Sequence, residues 1–205
     1  MPVRHALSHL SARVALKRLP YEGLEPLIRE HLSIEEDEGT ALLSAALRPA
    51  RRRGYLRKAE LEAVCRWKSA RAIAHIRANP HRRVRAITGA ALRTRSEEGR
   101  MEALLQLQGV SVPMASALLT LLDPKRYGVI DIRVWQLLYA VGAVGENRRG
   151  VHFTLKNWLE FLAILRHHAS RLGVTARDIE RALFAAHRAN QQGRLYERAV
   201  RRAGG

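Results

Sequence analysis

Apolar side chains recur at intervals of three and four residues along nearly the whole chain, and that spacing restricts the fold to packed helices. Leu24, Leu27 and Ile28 share one helix face, as do Leu61, Val64 and Cys65. The longest stripe is Leu155, Trp158, Leu159, Leu162 and Leu165, and Ile179, Leu183 and Ala186 continue the pattern in the next helix. Leu7, Leu10 and Val14 read the same way. Start and stop signals agree with this. Ser33 with Glu36, and Thr175 with Asp178, have capping-box spacing, and Gly142 and Gly173 stand where helices would stop. The one strand candidate, Tyr127–Val134, is broken by Asp131 and Arg133 and has no pairing partner, so it reads as a loop entering a helix. The expected fold class is all-α, about ten short helices with no fixed-period repeat.

Hydrophobic residues make up 47% of the 205, enough to bury a core, which excludes a disordered polybasic tail. The single cysteine, Cys65, excludes a disulfide framework, a cysteine-ligated zinc site and an iron–sulfur cluster. No run approaches 18 apolar residues, and the first 20 residues lack the apolar stretch of a signal peptide. The expectation is a cytoplasmic protein, nucleoid-associated if bacterial, without membrane contact and monomeric.

The net charge of +17 is unevenly spread. Residues 1–50 carry −1, residues 51–100 carry +11, residues 101–150 carry +1 and residues 151–205 carry +6. Clustered cations release the counterions condensed on a polyanion, so the second quarter is the expected nucleic-acid footprint, with Arg194–Arg202 as a second one. The bland alternative is a solvated helix face in an arginine-rich protein, since there are 31 arginines and 5 lysines. Residues 193–205 read as a frayed basic tail.

The most informative stretch is Leu104–Val141. Two helices, about Arg100–Leu107 and Val112–Leu122, are joined by Gln108-Gly109-Val110-Ser111. Such a hairpin sets consecutive backbone amides beside a helix N-terminus, an arrangement suited to a phosphate. Ala115, Ser116 and Ala117 are small enough for close helix approach. Asp123-Pro124 ends the second helix, and the loop Lys125–Ile130 delivers Asp131 to the start of another, Ile132–Val141. Read locally, Asp131 is a helix cap; capping still leaves one carboxylate oxygen available.

Leu107-x-Gly109-Val110, Ala115, Leu118-Leu119 and then Val129-Ile130-Asp131-x-x-Val134-Trp135 resemble the helix-hairpin-helix DNA glycosylases, whose signature is L-P-G-V-G-x-K-x-A followed by V-D-x-x-V-x-R. The resemblance covers about 40 residues strongly. It implies that Gly109, Val110, Ser111, Val112 and Met114 grip a DNA backbone, with a monovalent cation at the backbone of Gly109, Val110 and Ser111, and that Asp131 supports cleavage of the glycosidic bond of an extruded damaged base. Three departures shape the expectation. Ser111 replaces the second hairpin glycine, at a cost of about 1 kcal/mol if that position needs φ > 0. Pro113 replaces the lyase lysine, 18 residues before Asp131. No four-cysteine cluster follows. The resemblance therefore implies a monofunctional enzyme of base excision repair with water as nucleophile and no cofactor. The alternative is a non-catalytic helix-hairpin-helix module that binds nucleic acid, and a third reading is an all-α protein whose basic face meets an acidic partner.

Around this motif, Lys68, Arg71 and Arg133 are candidate phosphate ligands, with Arg133 otherwise solvated. Trp67 either stacks on an extruded base or packs between helices. Lys68 as a substitute nucleophile is disfavoured, because nothing in the sequence desolvates it. Tyr127, in the loop before Asp131, is a second base-pocket candidate. Trp135 and Trp158 fall on apolar stripes and belong to the core. Arg51-Arg52-Arg53 reads either as a linker touching phosphate or as a solvated charge run. His5 with His9, and His167-His168, lack metal-site spacing, so no metal held by side chains is expected. For architecture, the resemblance implies one bilobal unit over residues 1–192. Its central lobe is about 51–141 with the hairpin at 100–122; the second lobe combines 1–50 with 142–192. The acidic run Glu35–Glu38 is then expected to lie away from DNA. The lesion is not specified by the sequence.

Overall fold

The computed structural model describes residues 15–16, 19 and 21–192. The helical expectation for Leu7, Leu10 and Val14, the His5/His9 pair and the tail 193–205 lie outside the described residues. The fold is all-α. Its helices are α1 (Leu24–His31), α2 (Glu38–Arg53), α3 (Lys58–Ser69), α4 (Ile73–Arg77), α5 (His81–Arg93), α6 (Glu97–Leu105), α7 (Val112–Leu122), α8 (Ile132–Ala140), α9 (Leu155–Leu172) and α10 (Ala176–Asn190). A 3-10 turn at Ala70–Ala72 links α3 to α4. Two short strands, β1 (Ala15–Leu16) and β2 (Gln191–Gln192), pair antiparallel.

The core is organised around α7. All its residues except Pro113 are buried, as befits a helix apolar on every side, and it packs against α2, α3 and α6. Trp135 and Trp158 are fully buried, as are Leu61, Val64, Ile179 and Leu183 from the apolar stripes. The second packing centre is α10, which meets α1, α8 and α9.

Some local devices match the sequence expectation and others differ from it. Thr175 and Asp178 form their capping box, and Gly173 ends α9 in the left-handed conformation. Ser33 and Glu36 do not cap α2. The helix begins later, with Asp37 accepting the Thr40 amide at 2.9 Å, and this leaves Glu36 to make ion pairs instead. Arg51–Arg53 are no linker, because α2 continues through them before ending at Gly54, whose φ is 77°. Ser111 is extended, with φ −98°, so it carries no glycine-replacement strain.

Candidate functional site

The segment that presents Asp131 is fixed from three sides. The Ser116 hydroxyl on α7 donates to the Pro113 carbonyl at 2.9 Å and accepts the Ile130 amide at 3.1 Å. The carbonyls of Pro124 and Lys125 receive the first amides of α10, Arg177 and Ala176, at 3.1 and 3.2 Å. Gly128 is pressed so closely on α9 and α10 that a Cβ there would lie 2.6 Å from Leu165 Cδ1 and 2.7 Å from Glu180 Cβ. Asp131 therefore reaches the start of α8 in a fixed orientation. Its Oδ1 accepts the Val134 amide at 3.0 Å, and its Oδ2 lies 3.9 Å from Lys68 Nζ. The cap thus uses one oxygen and leaves the other facing a cleft.

That cleft encloses about 830 Å³. Trp67, Lys68, Arg71, Asp131 and Arg133 all line it, so five residues singled out in the sequence, drawn from two segments about sixty residues apart, share one cleft. The rest of the lining comes from residues 31–37 before α2 and from Arg177, Glu180, Arg181 and Phe184 of α10. Part of the acidic run belongs to this lining. Glu35, Glu36 and Asp37 line the same cleft as Asp131, because α2 starts one turn later than a Ser33 cap would place it and the preceding loop folds back onto α10. Arg177 holds that loop. Its Nε and Nη2 donate to the two oxygens of Glu36 at 2.7 and 3.2 Å, and its Nη1 donates to Glu180. Burial opposes the charge on Arg177, but Glu180 and Glu36 outweigh it and raise its pKa, so the guanidinium stays protonated. Burial raises the Glu180 carboxyl, and Asp131 adds to the effect, while Arg177 and Lys68 pull the other way. Five carboxylates and five Lys or Arg side chains line the cleft, so its formal charge is balanced.

Trp67 packs against its neighbours and also borders the cleft. Its Nε1 donates to Thr40 Oγ1 at 2.8 Å, the Arg177 guanidinium lies 5.8 Å from its ring centroid, and the indole still borders the cleft. Arg133 lies 5.5 Å over the Phe184 ring. Tyr127 is not part of this pocket. It is buried, stacked on Trp158, bonded through its hydroxyl to Glu97, and borders a separate cavity of about 160 Å³. Burial first, then the Glu97 charge, pushes its pKa up to about 12. The loop turns its ring inward because Arg100, Arg126 and Arg166 all converge on Glu97 at that position.

The link between α6 and α7 forms a second feature. Gly109 has φ 79°, and a Cβ there would sit 2.8 Å from His75 Cβ, so glycine is required both by conformation and by space. Residues Gly109–Val112 and Met114 are not among those lining the cleft. The side chains of Val110, Val112 and Met114 are buried, leaving only their backbone for a ligand. The Ser111 side chain makes no cap bond to the first turn of α7. Two supporting residues gave no signal in the sequence. Buried Asn79 clamps the link by donating to the Gln108 carbonyl and accepting its amide, both at 2.9 Å, and Arg83 donates to the Gln106 carbonyl at 2.8 Å. An Asn-Pro pair signals a turn, but not which distant backbone the asparagine will hold.

No group of three or more His, Cys, Asp or Glu among the described residues is placed to hold a metal ion, and no described helix is long and apolar enough to cross a membrane. Comparison with known proteins returns no match, whether to a family model, a curated protein or a solved structure.

Proposed function

We propose that this chain is a DNA-binding, monofunctional glycosylase-like protein of base excision repair. The observation that carries this reading is Asp131, a carboxylate oriented by its own helix cap, with one oxygen turned toward a cleft bordered by Trp67 and Lys68. Cleaving an N-glycosidic bond develops an oxocarbenium-like cation on the sugar, which a fixed carboxylate stabilises without reorganising. The target base must first leave the stack, at a cost of a few kcal/mol that is least for damaged or mispaired bases. In this reading Trp67 borders the extruded base, Lys68, Arg71 and Arg133 hold phosphates, and the link from Gly109 to Val112 serves as the hairpin of a helix-hairpin-helix motif. Water is the nucleophile, since Pro113 has no amine. A monovalent cation at the hairpin backbone belongs to the same reading. A two-lobed division, with the cleft between the lobes, belongs to the same reading.

The second reading, a non-catalytic nucleic-acid-binding module, is favoured by the acidic wall Glu35–Asp37, which repels a phosphate brought beside it. Release of free base from duplexes carrying oxidised, alkylated or deaminated bases separates the two. The glycosylase reading expects release from one class, reduced about 100- to 1000-fold by Asp131→Asn. Asparagine caps a helix as well as aspartate does, so that loss is chemical. Full activity in Asp131→Asn, or release from no duplex, ends the enzymatic reading.

A further inference from the structure

Helix α5 violates a local rule in a way that points to a ligand. Its first turn carries His81, Arg82 and Arg83, with no acidic residue and no side-chain cap. The N-terminal end of a helix dipole is positive, so cations there cost stability instead of adding to it. The whole helix, HRRVRAITGAALR, contains no carboxylate. Its inner face buries Val84, Thr88 and Ala91. On the opposite side Arg82, Arg85 and Arg93 fall within one stripe at helical spacing, and all three are exposed. None of them makes an ion pair among the described residues.

Arg85 is also held in place. Tyr55 carries two guanidiniums, Arg53 at 4.7 Å and Arg85 at 4.6 Å from its ring centroid. Gly89 makes room for this cluster. A Cβ there would lie 3.6 Å from Tyr55 Cβ and 3.0 Å from Arg93 Nη1. Stacking on an aromatic ring pre-orders a guanidinium, so less entropy is lost when it forms bonds to a phosphate. The stripe begins beside the α6–α7 link, where Arg83 bonds Gln106, and runs away from it for about 20 Å, the length of a 13-residue helix.

We propose that the outer face of α5, with the Tyr55 cluster, is a lesion-independent contact for the sugar–phosphate backbone of duplex DNA. The assignment rests on the DNA-binding reading above but not on catalysis. Arginine suits this task because its planar fork pairs with phosphate oxygens, and the unpaired charges need no internal partner broken before they bind.

The experiment measures the affinity of full-length protein for an undamaged fluorescent duplex across a salt series, alongside base release from damaged duplexes. Replacing Arg82, Arg85 and Arg93 together by Gln is expected to lower affinity on the order of 30-fold at low salt. The slope of log K against log salt should fall by between two and three, about 0.9 for each phosphate contact. The same positions changed to Lys should keep most of the slope, which separates loss of charge from loss of fold. Base release under saturating enzyme should be unchanged in both. Undiminished affinity and slope in the Gln variant, or equal losses in the Gln and Lys variants, overturns the proposal. Wild type that binds anionic vesicles but no duplex overturns it together with the DNA-binding reading. Wild type that binds duplex yet releases no base ends the glycosylase reading alone, and the α5 assignment then stands or falls on the Gln variant.

Discussion

Arginines occupy two surfaces of this molecule and behave in opposite ways. On α10, Arg177 and Arg181 are largely buried and committed to carboxylates: Arg177 to Glu36 and Glu180, Arg181 to Glu36 and Asp178. On α5, Arg82, Arg85 and Arg93 are exposed and have no counter-ion among the described residues. A charge removed from water must bring its partner with it, whereas a solvated one need not. Paired arginines build the wall of a site, and solvated ones remain available to a ligand. Local charge density in the sequence does not distinguish them.

The largest effect that sharpens this contrast is Arg177→Gln. It leaves buried Glu180 and the cleft-wall Glu36 without their main cation, and a loss of about 3 to 5 kcal/mol in urea unfolding at pH 7 is expected. A loss under 1 kcal/mol would mean that the α10 pairs are as dispensable as surface ones. The second test concerns His187, also on α10 and fully buried, with Nε2 3.3 Å from Gln136 Oε1 and no partner for Nδ1 among the described residues. Burial first, and then the Arg133 charge, lowers its pKa to about 4. The unfolded chain therefore takes up a proton that the folded protein refuses as pH falls from about 6.5 toward 4, and stability drops by roughly 3 kcal/mol over that window. Urea titrations at pH 7 and pH 4.5 should show most of this drop in wild type and much less in His187→Gln. The smallest effect belongs to the other surface. Arg85→Gln should change stability by no more than about 0.5 to 1 kcal/mol, since it removes one exposed cation–π contact. If it costs as much as Arg177→Gln, the contrast between the two surfaces is broken.

The sequence made α7, its Asp123 stop and the delivery of Asp131 to the start of α8 legible, because each depends on residues within one or two turns. The apolar run with flanking Ser111 and Asp123-Pro124 bounds α7 at Val112–Leu122 in sequence and structure alike. At the start of α2 two caps compete four residues apart, Ser33 and Asp37, and Asp37 wins. The burial of Tyr127 has no local signal, because its neighbours in space, Glu97 and Trp158, stand about thirty residues away on either side. The partnership of Glu36 with Arg177, across 141 positions, had no local trace at all.

Periodicity, caps and breakers determined that this chain would be helical and which faces would turn inward, since those choices are settled by backbone hydrogen bonds and burial within a few residues. Only the tertiary packing decided which carboxylates share a cavity with Asp131 and which arginines are left unpaired. The energy of a charge depends on what approaches it through space and on how much water is excluded, and neither is written in its immediate neighbours.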